Sequence, residues 1–261
     1  MAEVKLRALG LREVDFGDYD QYLTALTEDG RKIEILCKGA RRGGKKQLPA
    51  ARQFCFSEFI LMERGGKYTL READLVHSFF ALADDIERYA LACYLSELTA
   101  ALTAPDEEAP ALCRLLLYAL YALEGKKRDP ALVEAAFEWR VMAENGYAPD
   151  LTCCGVCGRT ISDPPVCFSV AAGQAADADC AQRVGGYAPL HAGALRALVH
   201  VLTAEPDRAY AFSLGGPSHG QFCDMAERYV QYHLGRGFDT LRFYRSVALP
   251  AQPEPPVRKQ K

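Results

Sequence analysis

Residues 26–46 read LTEDGRKIEILCKGARRGGKK, and this one stretch carries a turn, a strand and a basic loop in succession. Ile33, Ile35 and Cys37 alternate with Lys32 and Glu34, the period of two that marks a half-buried strand. Glu28-Asp29-Gly30 ahead of it is a hairpin signal, because Asp-Gly supplies the positive φ angles that a tight turn needs. Directly after the strand, Lys38-Gly39-Ala40-Arg41-Arg42-Gly43-Gly44-Lys45-Lys46 sets five cations together with no acid among them. Glycines let such a loop approach a phosphodiester chain closely, and the cations release counterions on binding it. Lys38, Arg41, Arg42, Lys45 and Lys46 are therefore candidate phosphate contacts. A merely solvated loop is the alternative, since charge runs are often that. Gly39, Gly44 and Lys45 also fit G-x4-G-K, but Lys46 stands where a P-loop needs Ser or Thr, and no βαβ unit follows.

Working outward, Val4, Leu6 and Ala8 alternate with Lys5 and Arg7, and apolar runs at Phe54 to Met62 and Tyr68 to Val76 flank a turn at Arg64-Gly65-Gly66-Lys67. Five short strands in residues 1–80 predict a small barrel of OB-fold type, whose mobile loops flank a single-strand-binding face. Tyr19, Tyr22, Phe54, Phe56, Phe59 and Tyr68 are its aromatics and candidates to stack bases, but most of them read as core, since alternation buries every second one. Beyond residue 82 the period becomes helical. Leu112, Leu115, Leu116, Ala119, Leu120 and Leu123 form one apolar face, with Ile86, Ala90, Tyr94, Leu98 and Leu102 marking a helix before it. Leu132, Ala136, Phe137, Arg140 and Val141 mark one after it. Two more helical patterns follow, Leu195, Leu198, Val199, Leu202 and then Phe222, Met225, Ala226, Tyr229. The fold class is α+β: an OB barrel over 1–80, a helical domain over 81–147 and 190–246, an insertion without helical or strand period over 148–189, and a disordered Pro-rich basic tail over 247–261.

The 261 residues are about half apolar and a quarter charged, which excludes a disordered chain. A net charge of −3 excludes coating a polyanion with the whole surface, so nucleic-acid contact has to be local. The N-terminus carries no signal peptide and no apolar run reaches membrane-spanning length, which predicts a cytoplasmic protein. Of ten cysteines, Cys37, Cys55, Cys93, Cys113 and Cys223 sit singly in apolar patterns, as small buried residues do. Cys153, Cys154, Cys157, Cys167 and Cys180 share the insertion. Cys154-Gly155-Val156-Cys157-Gly158 is a C-x2-C knuckle, and a zinc ribbon's second half is due about 15 to 20 residues on. There stands Asp177-Ala178-Asp179-Cys180, so Cys154, Cys157, Asp177 and Cys180 form a candidate Cys3Asp zinc site. Cys167 or Cys153 is the rival fourth ligand, and a knuckle held by packing without metal is the third possibility.

None of His77, His191, His200, His219 or His233 is followed by Glu at the second position, so a zinc deaminase site is excluded. There is no H-E-x-x-H and no G-x-S-x-G, and the carboxylates on the helices read as solvated faces. The sequence points to no enzyme. An adaptor acting through protein contacts alone, and a zinc-dependent nucleic-acid-modifying enzyme, are the other classes.

An opening strand followed by Asp15-Phe16-Gly17-Asp18-Tyr19-Asp20 and the Lys38-Gly39-Ala40-Arg41-Arg42 loop resembles the RecO family of DNA repair proteins. So do Phe137-Glu138-Trp139-Arg140, Gly146-Tyr147-Ala148-Pro149, the Cys154 to Cys157 knuckle with Cys167-Phe168-Ser169, and Tyr232-His233-Leu234-Gly235-Arg236. The resemblance implies an OB-fold, a helical domain and an inserted zinc ribbon. It implies binding of single- and double-stranded DNA without nucleotide hydrolysis, strand annealing, and help for RecA in replacing single-strand-binding protein, with RecR and RecF as pathway partners. It also implies a nucleoid-associated place in the cell. By position, Lys38, Arg41, Arg42, Lys45 and Lys46 become the DNA contacts and Cys154, Cys157, Asp177 and Cys180 the zinc ligands. Asp177 departs from the family's four-cysteine form, and some members manage without the metal.

Overall fold

A computed structural model describes residues 2–42, 48–104, 108–161 and 165–248. The strands are β1 (Ala2–Phe16), β2 (Asp20–Thr27), β3 (Lys32–Cys37), β4 (Cys55–Arg64) and β5 (Lys67–Ser78). They pair in the order β1-β2-β3-β5-β4, with β4 returning to β1. All contacts are antiparallel except the seam that closes the ring, two parallel pairs at Ile35↔Tyr68 and Leu36↔Thr69. This is the Greek-key barrel of an OB-fold. Alternation does the filling: Ala8, Leu23, Ile33, Ile35, Cys37, Phe59, Leu61 and Ala73 form the barrel core, while Lys32 and Glu34 stay outside it.

The helical body contains α1 (Ile86–Leu102), α2 (Pro110–Glu124), α3 (Pro130–Glu144), α5 (Ala192–Thr203) and α6 (Pro217–Leu234). Every member of the expected α2 face, from Leu112 to Leu123, is buried. Asp129 starts α3, its carboxylate accepting from the Ala131 amide at 3.0 Å ahead of Pro130. Val199 departs from its expected face and is 42% exposed. Barrel and body share one core, since Leu9, Leu11, Leu26 and Phe54 pack in the same cluster as the helices. The 28–30 turn locks them together. Gly30 alone among its residues takes a positive φ, +89°, and a Cβ there would meet the Ala109 backbone at 2.1 Å. Beside it Lys32 Nζ donates to the Ala100 and Thr103 carbonyls at 2.6 and 3.2 Å, capping the end of α1.

Three expectations need correction. The insertion is not devoid of regular structure: β6 (Val166–Ser169), β7 (Gln174–Asp177) and β8 (Ala188–Leu190) form a sheet in the order β7-β6-β8, with α4 (Ala178–Val184) after β7. Strands of three or four residues are too short to show a period, and β6 is buried on both faces. A further helix, α7 (Asp239–Ala248), closes the described chain and packs on α1. Its buried side chains are Leu241 and Tyr244, too few to print a stripe on a helix this short. Finally, the carboxylates of α3 are not all on a solvated face. Glu134 and Glu138 are each 1% exposed. The tail from Pro250 lies outside the described residues.

The two buried acids explain how α7 is held. Arg245 forks onto Glu134 at 2.7 and 2.9 Å and also reaches Glu227 of α6 at 2.6 Å. Glu138 accepts from the Tyr94 hydroxyl of α1 at 2.6 Å, while its other oxygen has no partner among the described residues. Burial, reinforced by neighbouring Glu134, pushes the Glu138 carboxyl well above the usual range. Burial also raises Glu134 to about 7, against the pull of Arg245. Next in sequence, Trp139 packs on both Phe168 of β6 and Tyr229 of α6, at ring separations of 6.0 and 4.7 Å, with those two rings 6.3 Å apart, and the trio ties the insertion to the body. Arg140 donates to the Val201 and Ala204 carbonyls and so caps α5. Among the described residues no helix is long and apolar enough to cross a membrane.

Candidate functional site

The basic loop follows β3 and is pinned to the β1–β2 hairpin rather than hanging free. The Gly39 amide donates to Asp20 Oδ1 at 2.7 Å, and the Arg41 amide donates to the Tyr19 carbonyl at 3.0 Å. Arg41 pairs with Asp15 at 3.3 Å, and the Arg42 guanidinium lies over the Tyr19 ring, 4.3 Å from its centroid. Two of the hairpin's acids, Asp15 and Asp20, are thus spent positioning the loop. Both partners of the Arg41–Asp15 pair are about half exposed, so the pair is worth less than about 1 kcal/mol and a phosphate can displace it. Lys38, Arg41 and Arg42 are therefore gathered at one end of the barrel. Lys45 and Lys46 lie outside the described residues. Of the candidate stacking aromatics, Phe54 and Phe59 are core residues, whereas Tyr19 is 48% exposed.

The knuckle brings together Cys154, Cys157, Asp177 and Cys180, whose donor atoms all lie within 4.8 Å of one another. The chain reaches this arrangement through the C-x2-C turn and the start of α4. Gly155 leaves room for two side chains: a Cβ there would stand 2.5 Å from Gln174 Oε1 and 2.8 Å from the Tyr187 hydroxyl, so both would have to move. Asp177 occupies the N-cap position of α4 but makes no cap hydrogen bond; its carboxylate stands 3.7 Å from Cys157 Sγ. Cys167 is not in the group. From strand β6 it packs in the same small buried cluster as Cys154 and Cys180, with Ala176 and Ala181, but it is not among the four residues whose donor atoms converge. Cys153 pairs with Thr160 in an isolated bridge and is likewise outside it.

The donor set fits a tetrahedral metal. Zinc–sulfur bonds of about 2.3 Å imply ligand separations of about 3.8 Å, about an ångström inside the 4.8 Å within which the donor atoms lie. Four anionic ligands around a dication leave a surplus of negative charge, and two arginines face it. Arg159 Nε lies 3.3 Å from Cys157 Sγ and its Nη2 3.7 Å from Asp177, while Arg183 Nη2 lies 3.0 Å from Cys180 Sγ. The hydrogen bond from Arg159 holds the Cys157 thiol down at about 7. The scattered cysteines behave oppositely, burial pushing Cys37, Cys113 and Cys223 up to about 12. Histidine takes no part: His77 meets Glu124, His219 meets Asp129, His200 the Arg208 carbonyl and His233 the Val170 carbonyl.

An OB barrel continuous with a helical body that carries a cysteine knuckle defines an OB-fold protein with a basic edge and a site able to hold a metal. Residues 1–79 match the family model for the recombination protein O N terminus, and residues 83–242 match that for the recombination protein O C terminus. The chain belongs to the recombination protein O family, and that membership supports a role in DNA repair. It is 31% identical over 93% of its length to the DNA repair protein RecO of Anaeromyxobacter sp. (strain K), covering 96% of that protein. It is 30% identical over 95% of its length to the RecO of Desulforudis audaxviator, covering 99% of it. Against the RecO of Acetivibrio thermocellus the identity is 26% over 95% of this chain and 98% of that one.

Proposed function

We propose that the chain is a recombination mediator: it binds single- and double-stranded DNA, anneals complementary strands, and helps load RecA onto DNA coated by single-strand-binding protein. RecR is its direct partner and RecF acts in the same pathway. The observation that carries this reading is the cationic loop pinned to one end of an OB barrel in a chain of this family. Phosphate attraction is independent of sequence, as annealing of arbitrary complements demands. Nothing in the mechanism needs nucleotide hydrolysis or another catalysed step.

The experiment is strand annealing of complementary oligonucleotides without ATP, with and without single-strand-binding protein. Annealing should be accelerated in both conditions. A chain that neither anneals nor binds DNA is an adaptor acting through protein contacts, and the proposal fails.

Zinc is the proposed metal, held by Cys154, Cys157, Asp177 and Cys180. It would cross-link the C-x2-C turn to α4, supplying order that this small cluster cannot obtain from packing alone. Elemental analysis should find about one zinc per chain, released in Cys154→Ser. A metal-free preparation with a fully folded insertion would contradict this assignment without touching DNA binding.

A further inference from the structure

The β1–β2 hairpin does something that a barrel strand pair has no need to do. The barrel buries β1 from Ala8 to Leu11, but none of the residues from Arg12 to Phe16 is buried, on either face of the strand. At the tip, Phe16 is 52% and Tyr19 48% exposed. Phe16 stands edge-on to Tyr22, 5.1 Å between centroids, and Tyr22 pairs with Val14 and Leu36 across the outer face of β1, β2 and β3. A groove of about 440 Å³ leads from Tyr22 and Leu36 to Lys67 and Tyr68 at the β4–β5 turn.

Two exposed rings would ordinarily suggest a protein contact. Here guanidinium groups stand among them: Arg42 lies on Tyr19, and Arg41 is paired with Asp15, next to Phe16 in sequence, while Asp20 is taken up by the Gly39 amide. Rings beside guanidinium groups match a ligand that has π-faces and anions at a fixed spacing, which is an unpaired polynucleotide. A duplex offers its phosphates but keeps its base faces stacked, so it can use only the cations.

We propose that Phe16 and Tyr19, continued by Tyr22 along the groove, are the base-stacking platform of this barrel, and that its ligand is single-stranded DNA. This rests on the DNA-binding reading above and goes beyond it by separating the groups that take bases from those that take phosphates. Arg42 covers part of the Tyr19 ring and braces it, leaving the exposed remainder for a base.

The test uses the full chain and an oligonucleotide carrying 2-aminopurine, whose fluorescence is quenched by stacking, together with a duplex of matched length. Phe16→Ala/Tyr19→Ala should weaken single-strand binding by about 10- to 100-fold, in line with the worth of one or two stacked bases, and relieve the quenching. Duplex affinity and the salt slope should be unchanged, and Phe16→Tyr/Tyr19→Phe should restore both affinity and quenching. Single-strand affinity and quenching equal to the parent would overturn the platform while leaving DNA binding intact. A parallel loss of single-strand and duplex binding would also overturn it, because stacking cannot produce that. A parent chain that binds neither form would overturn the DNA-binding reading itself, and the platform with it.

Discussion

Replacing Arg245 by Ala is expected to cost about 3 kcal/mol of stability, the loss typical of removing one partner from a buried ion pair. Glu134 is almost fully buried and loses its bidentate partner, and α7 loses its polar anchor to both α3 and α6. The loss depends on pH, and its sign follows from the raised carboxyls. Glu138 and Glu134 titrate above their ordinary 4.5, so between that value and their native values the folded chain binds more protons than the unfolded one. Their favourable contribution is complete below about 4.5 and is lost as pH rises, for Glu134 through about 7. Without Arg245 the Glu134 carboxyl rises further, so the variant should lose most at pH 8.5 and least at pH 5.5. Glu138→Gln keeps an acceptor for the Tyr94 hydroxyl and no longer titrates, so it should gain stability at pH 8.5 relative to the parent. Urea unfolding at the two pH values measures both. An Arg245→Ala loss that is small, or equal at the two values, would show that α7 is held by Leu241, Tyr244 and the Thr240–Glu97 hydrogen bond without it.

The parts of this molecule that a sequence displays are those where one residue type repeats at one period. The α2 face is legible because six apolar residues recur over three turns, and all six are buried. The barrel is legible because Ile33, Ile35 and Cys37 alternate, and the knuckle because C-x2-C has a fixed spacing. What stays hidden is whatever breaks the period for a reason in three dimensions. Glu134 and Glu138 resemble a solvated face until Arg245, more than a hundred residues on, and Tyr94 are seen beside them. Asp177 and Cys167 are equal rivals in one dimension; the short strand β6 leaves Cys167 outside the four residues whose donor atoms converge, while the start of α4 presents Asp177 to Cys157. Phe16 and Tyr19 would pass for barrel core, and only their exposure separates them from Phe59. Of the Phe137-Glu138-Trp139-Arg140 run that carries part of the family resemblance, each residue serves the body's own architecture: core, buried acid, ring contact and helix cap.

The second large effect concerns the loop itself. Each phosphate contact to a single strand contributes about 0.7 to the slope of log K against log salt. Replacing Arg41, Arg42, Lys45 and Lys46 by Ala should therefore flatten that slope by about 2 to 3, and lower affinity on the order of 100-fold near 0.1 M salt. Arg41 is already engaged by Asp15, so its share is the smallest, and Asp15→Asn should move affinity the other way by releasing it. The proposed function requires that this end of the barrel hold the phosphates of a single strand. Its most direct test is the single-strand affinity of the parent and the fourfold variant titrated from low to high salt. A steep parent slope that flattens in the variant is the expected result; equal affinities and equal slopes would contradict the claim.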